Sequence, residues 1–294
     1  MTQNISSHIG QTGSLSRKGK IQKITFYVLA ALLSVFLLVG FWDIIPGVVF
    51  GWLPDSVLIL IHPDFERLFV PHRLHQMAMH TILWGLVLGV VLQLHRPERR
   101  VAPLLQPLTM FWAFHIIELA VGRYSGGFPF LDVPLVLLVL LHPRVRELFR
   151  LPHLDWTMAG LTALAAIPWI VFALSQAEFA RLNLPTDEHA QLEHWIRMAV
   201  FAIVMIVWGL IGATDLPGWR LTAWTVAYGS IVYGLQSLVF PSQASAAAVG
   251  WAIAALAWGV AYLVAAERRV RAAKTAIARQ ELNESADDLQ RHHS

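Results

Sequence analysis

The chain has 294 residues, 56% hydrophobic and 14% charged, with a mean hydropathy of +0.56. Soluble domains carry about 25% charged residues, so an ordinary globular enzyme is excluded. The net charge of +3 sits in short basic clusters between apolar runs, which is how the loops of membrane proteins look and not how a nucleic-acid surface looks.

Residue usage narrows the chemistry further. The absence of cysteine rules out disulfides, thiolate catalysis, iron–sulfur clusters and Cys-ligated zinc. Lys18, Lys20, Lys23 and Lys274 all lie outside the apolar runs, which leaves no buried lysine for a retinal Schiff base.

In chain order, residues 1–22 read as a polar, disordered cytoplasmic tail ending in basic residues. A first span follows over residues 24–42, too long for a signal-peptide core and without a small-residue cleavage site behind it. Residues 43–71 form an outer segment whose apolar pieces, broken by Pro46, Gly51 and Pro54, are too short to cross about 30 Å of hydrocarbon. Further spans are expected near 74–94, 104–121, 128–141, 156–176, 194–213, 221–240 and 246–266. Arg-rich junctions at 95–100, 142–146 and 267–271, and the junction 214–220 that ends in Arg220, all fall on the side that an inside amino end predicts.

The expected fold class is therefore all-α, a polytopic integral membrane bundle of about eight transmembrane helices. Residues 268–294 read as a cytoplasmic helical tail. Trp84-Gly85-Leu86 recurs as Trp208-Gly209-Leu210, with Arg73 and Arg197 at the same distance before them and a histidine pair near each, His72/His75 and His189/His194. This points to two four-helix halves, 23–150 and 151–267. The expected place is the cytoplasmic (inner) membrane with both termini cytoplasmic. The expected partners are the lipid bilayer and a membrane-protein partner or second copy, with no nucleic acid. Small residues in the last span, among them Gly250, Ala254 and Gly259, would suit such packing.

Polar residues inside spans are costly and mark function. His80 lies about six residues below the mouth of the second span, roughly 9 Å deep. His115 is at a similar depth in the third, with Glu118 one turn nearer the outside. Above His80 stand His72, His75, Gln76 and Met79. The candidate site is thus His72, His75, Met79, His80, His115 and Glu118, with His80 and His115 as the pair that would hold a cofactor and Arg123 as a cation able to loop back to Glu118. Imidazoles and a thioether suit copper or haem b, for metal handling or electron transfer. The alternatives are a proton-coupled transporter using the same His and Glu residues, or a structural or assembly subunit of a membrane complex, and whether the chain is an enzyme stays open. His189 and Glu193 share a helical face while His194 points away, so residues 188–194 read as a polar loop entering a span. His62 and His142, each before a proline, read as helix-end punctuation.

Overall fold

The structure, a computed structural model, describes residues 17–42, 44–61, 64, 66, 69–123 and 129–292. His62, and Gly126 and Gly127 of the expected outer loop, lie outside the described residues. Eleven α-helices occur among those described: α1 (Arg17–Gly40), α2 (Ile44–Phe50), α3 (Asp55–Ile61), α4 (Arg73–Val91), α5 (Val101–Ala120), α6 (Pro129–Leu141), α7 (Trp156–Leu182), α8 (Glu188–Gln191), α9 (His194–Gly212), α10 (Trp219–Val239) and α11 (Val249–His292). No strand occurs among the described residues.

Among the described residues, five segments are long and apolar enough to cross a membrane: Arg17–Gly40, Val70–Leu94, Trp156–Leu182, His194–Gly212 and Val249–Ser285. This is fewer than the eight expected from the sequence. Helices α5 and α10 have the length, but Gln106, His115 and Glu118 in one and Thr222, Thr225, Ser230, Tyr233 and Gln236 in the other dilute their hydropathy. Helix α6 is apolar but only 13 residues long.

The arrangement explains where polarity is tolerated. Helices α4 and α9 are the most enclosed of the five, with 67% of each apolar window buried. Helix α4 touches α1, α2, α5, α9 and α10, and α9 touches α4, α5, α7 and α10. In contrast α1, α7 and α11 bury under a third of theirs. Helix α1 leaves Ile24, Val28, Leu32, Val35 and Val39 exposed, and α7 leaves Leu164, Ile167, Val171 and Leu174 exposed. These residues recur at three- and four-residue spacing, forming the apolar outer stripes that lipid requires and water penalises.

Glycines set the closest approaches. A Cβ on Gly85 would lie 2.5 Å from the Trp208 ring, and one on Gly259 would lie 2.8 Å from the Ala227 carbonyl oxygen. The small residues of the last span are thus used within the chain, joining α11 to α10. Gly250 faces open space.

The two ends of the bundle differ chemically. At one end Arg150 pairs with Asp215 at 2.8 Å, Arg220 pairs with Glu267 through two bonds of 2.8 Å, and Arg269 stacks 4.0 Å from the Trp219 ring and donates to the Thr214 carbonyl. The amino end of α1 joins this end, where Phe26 lies edge-on to His142 at 5.5 Å. The histidines at the starts of α4 and α9 occupy the other end.

His142 is more than punctuation. It is fully buried; its Nε2 lies 3.0 Å from the Pro97 carbonyl and its Nδ1 accepts the Arg144 N–H at 3.0 Å. One donor and one acceptor are what a neutral imidazole offers. Burial pushes its pKa below the usual imidazole value, against the smaller upward pull of the Pro97 bond. The unfolded chain, with an ordinary pKa of about 6.5, binds the proton first as pH falls. The imidazole therefore contributes stability above that pH and loses it as pH drops through the folded value. Wild-type protein in detergent should lose more melting temperature between pH 7.5 and 5 than His142→Gln does. Parallel pH profiles would show that His142 carries no part of the acid sensitivity.

Candidate metal centre

The residues that converge are His72, His75, His189 and His194. One ring nitrogen of each lies within 4.8 Å of the corresponding atoms of the other three. Ring centroids are 4.5 Å apart for His72–His189 and His72–His194, 5.0 Å for His75–His189 and 4.9 Å for His75–His194. His72, His75 and His194 are at most 2% exposed, and His189 is half-buried.

Local structure delivers each ring. Phe69–His72 closes as a 3-10 turn with Pro71 inside it, and α4 starts at the next residue, so His72 and His75 occupy consecutive turns. Gln243 donates to the Val70 carbonyl at 3.0 Å and holds this entry. Arg73, between the two histidines, points away to pair with Asp55 and lie 4.4 Å over the Phe240 ring.

On the other side Asp187 caps α8 by accepting the His189 N–H at 3.0 Å, and accepts the Trp195 indole N–H at 2.7 Å. Arg123 donates to the Ala190 carbonyl at 3.0 Å. The cation expected to answer Glu118 thus anchors the short helix that carries His189.

The expectation that His194 points away from His189 is overturned, and the reason is one residue. Glu193 has φ +59° and ψ +20°, a left-handed conformation that side-chain-bearing residues avoid. It separates α8 from α9. On one continuous helix His194 would sit away from His189; the break turns it back, to a centroid separation of 5.8 Å. The histidine pair ahead of each Trp-Gly-Leu segment was the signal in the sequence that could have found this site.

Four of the eight ring nitrogens, one on each ring, are buried with neither a hydrogen-bond partner nor a carboxylate contact: Nδ1 of His72, His75 and His194 and Nε2 of His189. Buried polar atoms left unpaired cost about 1–3 kcal/mol each, and a shared cation would satisfy several at once. The outward nitrogens meet the partners that orient metal-bound imidazoles. His189 Nδ1 is 3.5 Å from Asp187, His72 Nε2 is 3.8 Å from Glu188, and His75 Nε2 is 2.9 Å from the Ser245 hydroxyl.

The other expected site residues lie elsewhere. His115 Nε2 is 2.7 Å from Asp132 of α6, and its Nδ1 is 3.9 Å from Glu118. Both of its nitrogens are thus turned toward carboxylates. His80 Nδ1 meets the Gln76 carbonyl at 2.6 Å, and its ring lies under α2 so closely that only glycine fits at Gly47. Met79 packs against the apolar core. The converging group contains none of Met79, His80, His115 and Glu118.

If the turn at Glu193 aims His194, Glu193→Gly should keep the cluster and raise stability by about 1 kcal/mol, because glycine adopts φ > 0 without a Cβ clash. Glu193→Ile should lower stability by at least as much. Equal melting temperatures for the two variants would show that the left-handed turn is not imposed by the fold. No protein-family model, no curated protein and no solved structure matches the chain.

Proposed function

We propose that this protein holds one divalent transition-metal ion, zinc or copper, between His72, His75, His189 and His194, and that its job is metal handling in a membrane. The observation that carries this reading is the set of four orphaned buried nitrogens, one on each of four converging rings. Neutral imidazole ligands suit zinc and copper. Tetrahedral zinc with bonds of about 2.0–2.1 Å spaces its ligand atoms by about 3.3 Å, a modest closing-in from the present upper limit.

Charge favours a dication. The four ligands are neutral, and Asp187 and Glu188 stand directly behind two of them. Two carboxylates on the rim of the centre offset the two positive charges of such an ion. Four nearby rings also leave no slot for a porphyrin between any two of them, which favours a bare ion over haem b. A full protein ligand set leaves no open position for activating water, so holding or passing on an ion fits better than hydrolysis.

In the same reading the chain crosses the inner membrane eight times. Helices α5, α6 and α10 supply the spans whose polar groups are shielded by neighbours, both termini lie in the cytoplasm, and the metal centre is near the outer face. The basic end of the bundle supports this orientation.

Purified protein incubated with zinc or copper(II), then desalted, should carry about one ion per chain by elemental analysis. His72→Ala and His194→Ala should abolish it, while His80→Ala and His115→Ala should leave it. Wild-type protein that stays metal-free, or that loses metal only on substitution of His80 or His115, would sink the assignment. Single cysteines at Thr186 and Ser242, both at the histidine end, should label from outside intact cells, and one at Thr275 should not. The reverse pattern would invert the topology.

A further inference from the structure

We infer that Ser245 and Gln176 form a proton-orienting relay that fixes His75 as the Nε2–H tautomer and so presents its Nδ1 lone pair to the metal. This rests on the metal reading above but concerns residues outside the ligand set.

Hydroxyl and amide hydrogens can be counted around Ser245. The Ser245 hydroxyl contacts two groups, Gln176 Oε1 at 2.6 Å and His75 Nε2 at 2.9 Å. The Gln176 amide is oriented by its Nε2, which donates to Ser175 Oγ at 3.3 Å, so Oε1 is the atom facing Ser245. A carbonyl oxygen only accepts, and a hydroxyl has one hydrogen. That hydrogen therefore goes to Gln176. Toward His75 the serine oxygen has only a lone pair to offer, and the bond requires a hydrogen on His75 Nε2. A neutral ring with hydrogen on Nε2 has its lone pair on Nδ1, the nitrogen that is buried without a partner at the cluster.

The relay is built into the scaffold. Gln176 is 3% exposed and comes from α7. Ser245 lies in the turn between α10 and α11 with φ +64°, a left-handed conformation rare for a side-chain-bearing residue. The Tyr233 hydroxyl donates to the Ser245 carbonyl at 2.9 Å, and the Ala247 N–H donates to Ser237 Oγ at 3.1 Å. Backbone strain held at a functional position is a recognised form of pre-organisation. Here it points one hydroxyl between two buried side chains. Ser245 and Gln176 are positioning residues: they set which nitrogen of His75 can bind and do not touch the ion.

The test uses Ser245→Gly, Gln176→Met and Gln176→Glu. Glycine removes the hydroxyl while suiting the positive φ, so lost binding cannot be attributed to a strained turn. Methionine removes the acceptor and frees the serine hydrogen to donate to His75 Nε2, which drives the ring's hydrogen onto Nδ1. Glutamate keeps an acceptor. Zinc affinity should fall about 10- to 100-fold in Ser245→Gly and Gln176→Met, the usual cost of losing a partner behind a metal-bound histidine, and stay near wild type in Gln176→Glu. Nitrogen-15 NMR of metal-free protein with labelled histidine, His75 being assigned from His75→Gln, should show hydrogen on Nε2 in wild type and Gln176→Glu and on Nδ1 in Gln176→Met. Hydrogen on Nδ1 in wild type, or unchanged zinc affinity in both Ser245→Gly and Gln176→Met, overturns the relay. If wild type takes up no zinc, the metal reading fails separately and the NMR tautomer alone decides the relay.

Discussion

The contact between Gly85 and Trp208 governs the rest of the bundle. The Trp208 ring occupies the space where a side chain on Gly85 would stand, and its indole N–H is tied at 3.0 Å to the Thr109 hydroxyl of α5. This locks α4 and α9 together lengthwise. Thirteen residues separate His72 from Gly85 and fourteen separate His194 from Trp208. At 1.5 Å per residue both histidines arrive about 20 Å from the contact, which is why rings distant in the chain meet at one level. A larger residue at Gly85 would push the helices apart and separate the rings that the notch brings level.

Placing two central helices side by side and in the same direction has an energetic consequence. Parallel neighbours cannot be joined by a short loop, so other helices must return the chain between them, and those helices wrap the pair. The wrapping buries α4 and α9 and lets their ends carry imidazoles that would be expensive against lipid. It also explains why polar α5 and α10 are tolerated: each lies against both α4 and α9. The helices with the cleanest apolar faces, α1, α7 and α11, are left outside, and their exposed stripes are compatible with a lipid surrounding.

Around the histidines, a layer of partners does for orientation what the helices do for position. Asp187, Glu188 and Ser245 each stand behind one ring, and Trp195 closes a wall, edge-on to His75 at 5.5 Å and bonded to Asp187. These groups come from the connection between α7 and α9, the start of α9 and the turn before α11; with His72 at the entry to α4, the centre joins three connections at one end of the bundle. An ion held there would stabilise all three by linkage.

The helical architecture was legible from composition and periodicity alone. Apolar runs and the absence of cysteine define the class, and the Arg-rich junctions mark one end, because the cost of moving charge into hydrocarbon leaves little freedom in where such residues sit. The recurrence of Trp-Gly-Leu with a histidine pair ahead of each copy was also visible. The membership of the site was not. Counting residues put His80 and His115 at equal depth, but depth says nothing of facing: His115 is turned toward Asp132 and Glu118, and His80 lies under α2. His194 was set aside because a helix wheel assumes an unbroken helix, and the left-handed Glu193 breaks it. Backbone conformation at one residue, and the long-range packing that makes that conformation tolerable, are properties of the folded whole. Only the tertiary structure could bring His189 and His194 to His72 and His75.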